Sequence, residues 1–147
     1  MFGPVPIEGF DWSIVLAFGT VLEDGEDPGS ERALAAAGHA ASVQFHYGAE
    51  YDSLDERGRE WLSAYEDVPA DERHLAMHYG HLVLVHDRDR PFVTGETLSG
   101  FGLALSAAGW PEQLAQLEAA GATEIAYQPA GPGIPRELEA FAAAVRG

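Results

Sequence analysis

His74, His78 and His81 recur at i, i+4 and i+7. On one continuous helix they would share a face, and three imidazoles together can bind zinc. Gly80 interrupts that helix before His81, and the spacing offers no carboxylate to orient the rings. We therefore expect no high-affinity zinc site from this trio, and no metal. Histidine also titrates near neutral pH and serves as a general base. His46 (beside Tyr47), His78 and His81 are the candidate acid–base residues, and His86-Asp87 forms a similar pair at the end of another element. His46-Tyr47 and His86-Asp87 also read simply as polar residues at helix and strand ends, and His74, His78 and His81 as surface or core histidines.

Other chemistries are excluded by residue type. The chain has no cysteine, which removes disulfides, thiolate nucleophiles and Cys-ligated zinc or iron–sulfur sites. It has no lysine, which removes a pyridoxal Schiff base and a P-loop. No serine lies in a Gly-x-Ser-x-Gly elbow, and no Gly-x-Gly-x-x-Gly fingerprint opens a helix after a strand. The most suggestive loop is Gln128-Pro129-Ala130-Gly131-Pro132-Gly133. Glycines between a strand and a helix let backbone N–H groups approach an anion at the helix N-terminus. Pro132 removes one such donor, and a plain tight βα turn reads the same way. Gln128, Gly131 and Gly133, with Gly109 in the loop 107–111, are the candidate cofactor-binding positions.

These loops need elements to hold them. The apolar run from Trp12 to Leu22 predicts a strand over 13–21 that is buried on both faces. Ser30 is a candidate N-cap for an Ala-rich helix over 33–47. A helix over 54–68 carries Trp61, Leu62 and Tyr65 on one face, and a further helix runs from Asp71 to Tyr79. His81 to His86 alternates like a short strand, and residues 92–101 are ambiguous. A strand over 102–106, a helix from Trp110 and a strand over 122–127 follow. The last helix spans 135–145. Leu114, Leu117 and Ala120 mark the buried face of the helix from Trp110, and Leu138, Phe141 and Val145 that of the last one. Strands alternating with helices through short loops predict parallel βα units in a single domain, residues 1–147. Ligands in such folds lie at the C-terminal strand ends, here loops 23–29, 107–111 and 128–134.

Composition sets the setting. The net charge is −16, from 24 acidic residues against 8 arginines. A strongly acidic surface repels nucleic acid and anionic membranes, so neither is an expected partner. The charge reads as solubility, or more sharply as adaptation to high salt. No run of about 18 apolar residues predicts a membrane span. Gly3, Pro4, Pro6 and Glu8 do not fit a leader peptide, so a cytoplasmic location is expected.

The order of several runs resembles a known family. Gly109-Trp110-Pro111-Glu112, then Leu117 to Gly131, is similar to the last two βα units of luciferase-like oxidoreductases, which include flavin-dependent monooxygenases and F420-dependent methylenetetrahydromethanopterin reductases. Gly19 to Glu23, Glu72 to Ala76 and Gly80 to Val83 resemble their middle portion. Members often carry His-Glu-Gly-His where this chain has His78-Tyr79-Gly80-His81, so a tyrosine replaces a carboxylate. The resemblance implies part of a TIM-like (β/α)8 barrel, its C-terminal half, incomplete in a chain of 147 residues; a whole barrel needs about 250. It implies a flavin- or F420-dependent oxidoreductase with FMN or coenzyme F420 as cofactor and a small-molecule substrate. Such a half-barrel would expose a face to which Ile14, Leu16, Leu103, Leu105 and Ile125 are assigned. It would cover that face by forming a homodimer or by meeting a complementary barrel half. The alternative is a non-catalytic half-barrel that binds a ligand or completes another subunit.

Overall fold

The computed structural model describes residues 10–146. The irregular lead-in expected over 1–11 lies almost wholly outside the described residues. The chain is a mixed α/β protein with four short strands, all in parallel pairs, and six helices among the described residues. In chain order these are β1 (Ile14–Ala17), β2 (Thr20–Leu22), α1 (Glu31–Glu50), α2 (Glu56–Ser63), α3 (Arg73–Met77), α4 (Gly95–Gly100), β3 (Ala104–Ser106), α5 (Gly109–Ala119), β4 (Glu124–Tyr127) and α6 (Ile134–Arg146). No helix among the described residues is long and apolar enough to cross a membrane.

The single strand expected over 13–21 is two strands, and the expected single sheet is two separate parallel pairs. β1 pairs with β4, from Ile14 opposite Glu124 to Ala17 opposite Tyr127, while β2 pairs with β3. Gly19 causes the break. Its φ of +128° suits glycine alone, and a Cβ there would lie 2.5 Å from the Leu103 carbonyl oxygen. The chain bends at this point, and the Thr20 N–H donates to that same carbonyl at 2.8 Å.

Burial on both faces also fails for β1. Val15 and Ala17 share a side with Ile125 and Tyr127, since paired residues of a parallel ladder point the same way. That side packs against Trp110, Phe141 and Ala144 of the two following helices. Ile14 and Leu16 point the other way and are exposed. The face expected to be uncovered is therefore split: Ile125 and Leu105 lie under α5 and α6, and Leu103 is buried against α1.

Ser30 caps α1 as expected, its Oγ accepting from the Ala33 N–H at 3.1 Å. Ala33, Ala37, Ala40 and Ala41 form a flat face that packs on Val93, Leu98, Leu103 and Ala104. Thr94 caps the ambiguous stretch and makes it α4. The strand expected over His81–His86 is instead a series of turns, because Gly80 and Leu82 both take left-handed backbone, at φ +74° and +60°. Beyond Ser63 the helix expected over 54–68 loosens into turns, and only Arg73–Met77 of the next one is helical.

α6 is rotated from expectation. Leu138 and Val145 are exposed, whereas Glu137 and Ala144 are buried. In α5, likewise, the buried residue is Trp110. Polar chemistry decides the rotation of α6. The Glu137 carboxylate accepts from Thr20 Oγ1 at 2.7 Å and from Arg32 Nη1 at 2.7 Å. Arg32 Nε donates to Glu26 at 2.8 Å, and Arg136 Nη1 donates to the Val21 carbonyl at 2.7 Å. Charge-assisted bonds of this kind offset the desolvation of a buried carboxylate.

The hydrogen bonds from Arg32 hold the Glu26 carboxyl well below its ordinary 4.5, at about 2. A depressed carboxyl contributes stability that is complete above the unfolded value and lost as pH falls toward the folded one. We predict that acid denaturation profiles of the wild type lose stability between these two values. Glu26→Gln should flatten that limb and cost about 1–2 kcal/mol at neutral pH, a figure reduced by partial solvent screening. Urea midpoints measured across the acid range check both parts.

Candidate functional site

The residues with the most chemical potential gather at the far end of α1 from Arg32. Ser42, His46 and Glu50 are spaced by four along this helix and share a face. His46 is buried, 3% exposed, with its ring 5.5 Å from that of Trp61. It is not at a helix terminus, as the sequence reading has it, but inside a helix that continues through Glu50. His78 follows α3 directly, and the left-handed turn at Gly80 brings His81 back beside it. Both are partly exposed.

Three imidazoles converge here. His81 Nδ1 is 3.4 Å from His46 Nδ1 and 3.1 Å from His78 Nδ1. One nitrogen from each ring lies within 4.8 Å of the other two. The opposite nitrogens face carboxylates: His78 Nε2 is 2.9 Å from Glu50 Oε1, and His46 Nε2 is 3.7 Å from Asp89 Oδ2. Burial pushes the His81 imidazole below its ordinary value, and the neighbouring His46 and His78 push it the same way, against the pull of Glu50. The His81 ring is thus biased toward the neutral form, which carries a free lone pair.

Asp89 anchors the floor of the cluster. It is 1% exposed, and its Oδ1 accepts from Trp61 Nε1 at 2.7 Å and from Tyr65 Oη at 2.6 Å. Burial alone would raise its carboxyl, but His46, Tyr65, Trp61 and Ser42 arrayed around it outweigh that and keep it low. The same burial, reinforced by Asp89, pushes the Tyr65 hydroxyl up. The turn over 86–93 fixes Asp89 by its backbone, its N–H donating to the His86 carbonyl and its own carbonyl accepting from Phe92.

The structure therefore unites the three candidate acid–base residues, His46 from α1 and His78 and His81 from the turn after α3. His74 is exposed on α3 and takes no part; His46 stands where the i, i+4, i+7 spacing put His74. His86 is set apart, its Nδ1 accepting from the Arg88 N–H at 3.1 Å. Two carboxylates that border the cluster, Glu50 and Asp89, are absent from the sequence-derived candidates. Glu50 carried a signal, lying one turn beyond His46. Asp89 carried none, since its role depends on a contact across 28 residues to Trp61.

The candidate cofactor positions lie on other loops. Gly131, at φ +77°, packs so tightly on α1 that a Cβ would meet the Ala35 carbonyl at 2.6 Å. Its glycine is explained by that packing. The Gly109 N–H donates to Ser106 Oγ at 3.2 Å, closing the turn into α5. Gln128 extends the β4 ladder through its N–H to the Ala17 carbonyl at 2.9 Å. Gly133 accepts from the Glu137 N–H at 3.0 Å in the first turn of α6, and a Cβ there would be nearly free of contacts.

Comparison with protein-family models, with curated proteins and with solved structures finds no match to this chain.

Removing the Asp89 carboxylate leaves a buried indole N–H and a buried phenol without an acceptor. We predict that Asp89→Ala costs about 3–5 kcal/mol. Tyr65→Phe, which removes one donor and leaves the other pair intact, should cost only about 1–2 kcal/mol. Chemical denaturation followed by tryptophan fluorescence measures both.

Proposed function

We propose that the chain is the C-terminal part of a luciferase-like barrel oxidoreductase that uses FMN or coenzyme F420 on a small-molecule substrate. Three features support this reading. The residue runs of that family appear in order along the chain. The strands are parallel, and β3 and β4 are each followed at once by a helix, as in βα units. The observation that carries most weight is the uncovered side of β1.

Phe10, Trp12, Ile14 and Leu16 recur at every second residue and are 70%, 61%, 45% and 58% exposed. This is the alternation of a strand whose second face is meant to be covered. The opposite side of the same strand is already packed by α5 and α6, as the outer side of a barrel strand would be. Exposed apolar side chains at alternate positions, two in β1 and two in the residues leading into it, favour an interaction surface. Leaving it wet costs about 25 cal/mol for each Å² of apolar area. In the proposed barrel the complementary half covers it; a second copy of the chain meeting it across a two-fold axis is the substitute when that half is missing.

Two measurements test this. Sedimentation of the isolated chain at micromolar concentration should show a dimer, and Leu16→Asp should return it to a monomer without loss of helix signal. The cofactor pocket of the proposed barrel needs both halves, so FMN and F420 should bind weakly or not at all to the chain alone. Tight stoichiometric binding of either cofactor by the chain alone, seen in flavin or deazaflavin titration, would overturn the proposal.

A further inference from the structure

The His46, His78 and His81 cluster has a property that an oxidoreductase frame does not require. We propose that these three residues bind one divalent transition cation of the zinc class through their Nδ1 atoms. The inference rests on the cluster alone and is independent of the barrel reading.

The donor spacing fits such an ion. Zinc–imidazole bonds of about 2.0–2.1 Å in a tetrahedral site place neighbouring nitrogens about 3.3 Å apart. His81 Nδ1 lies 3.1 Å from His78 Nδ1 and 3.4 Å from His46 Nδ1, which brackets that value for two of the three edges, and one nitrogen from each ring lies within 4.8 Å of the other two.

Proton accounting points the same way. A neutral imidazole carries one N–H. The carboxylates of Glu50 and Asp89 face the Nε2 atoms of His78 and His46, and so favour the proton on those outer nitrogens. In neutral rings that carry the proton on Nε2, both Nδ1 atoms present lone pairs to the centre. His81 Nδ1 touches both of them, yet a single N–H satisfies one contact and leaves the other as lone pair against lone pair. A cation between the three nitrogens satisfies all of them at once.

The surroundings also favour a cation. Metal-binding histidines commonly donate their outer N–H to a carboxylate, which sets the tautomer and raises ligand basicity. Glu50 supplies that arrangement to His78 at 2.9 Å, and Asp89 faces His46 Nε2 at 3.7 Å without a hydrogen bond, so two carboxylates stand beside the site. The Arg88 guanidinium is engaged by Asp67 at 2.9 Å and over the Tyr65 ring, not by His46, His78 or His81. Trp61 packs on the His46 ring and limits its reorientation. His78 and His81 border solvent, so a fourth position is open to water, as in zinc sites with three protein ligands.

The test uses the full chain purified without a polyhistidine tag and stripped with chelator. Calorimetric titration with Zn²⁺ should show one equivalent bound with a Kd of about 10 µM or tighter. Co²⁺ should give the intense visible bands of a four-coordinate ion. His81→Ala, at the surface and so compatible with folding, should weaken binding at least about 100-fold, and Glu50→Gln about 10-fold. His74→Ala should leave binding unchanged. Binding weaker than about 10 µM would overturn the proposal, as would affinity that survives His81→Ala or disappears in His74→Ala.

Discussion

The buried carboxylate of Glu137 is the constraint around which the strand-bearing part of this protein is arranged. A carboxylate that is 2% exposed must be fully hydrogen-bonded or it destabilises the fold. Its partners come from β2 and α1, so satisfying it locks α6 onto both. Arg32 is the shared donor, reaching Glu137, Thr20 and Glu26 at once. The Tyr127 hydroxyl donates to the Gly19 carbonyl at 2.8 Å, which ties the end of β4 to the bend between β1 and β2. The rotation of α6 and the position of the first turn of α1 are tied to one polar hub, which also holds Thr20 just beyond the bend at Gly19.

α1 carries that constraint across the molecule. With 20 residues it is about 30 Å long. Its first turn holds Arg32, its middle is a flat alanine face, and its last turns hold His46 and Glu50. The alanine face lets α4 and the segment before β3 approach closely, so the position of α1 is fixed along its length. The histidine cluster inherits that rigidity on one side. On the other side it depends on Asp89, which joins α2 and the turn over 86–93 through Trp61 and Tyr65. Two polar hubs, one at each end of a single helix, therefore organise two hydrophobic clusters, the one under α5 and α6 and the one around Phe45 and Trp61.

The two sides of β1 differ for a reason that follows from the pleat. Alternate residues face opposite ways, so one strand can be covered on its Val15–Ala17 side, with Ala17 buried and Val15 half-buried, and bare on its Ile14–Leu16 side. The surface of α6 shows the same imbalance, with Leu138 and Val145 outward. Ile14 and Leu16 on β1 and Leu138 and Val145 on α6 are thus among the apolar residues that the described fold leaves exposed, as are Leu75 in α3 and Val83 and Leu84 in the segment between α3 and α4.

Local signals determined the α/β class and most helix positions. The Ser30 cap, the alanine periodicity that follows it, Pro111 and Glu112 at the start of α5 and the strand at Glu124–Tyr127 each act over a few residues, and such effects are readable without the fold. The membership of the histidine site was half legible: His78 and His81 are neighbours in sequence, and His46 with Glu50 carries helical spacing. Only tertiary structure decided that these two pairs meet, that His74 turns away, and that Asp89 supplies the floor. It also decided which face of α6 is buried and where the first strand breaks. In each case the deciding contact spans tens of residues, from Glu137 to Thr20, from Gly19 to Leu103 and from Asp89 to Trp61. The apolar pattern of the chain ranks Leu138 above Glu137 for burial, and only a partner more than a hundred residues away reverses that order.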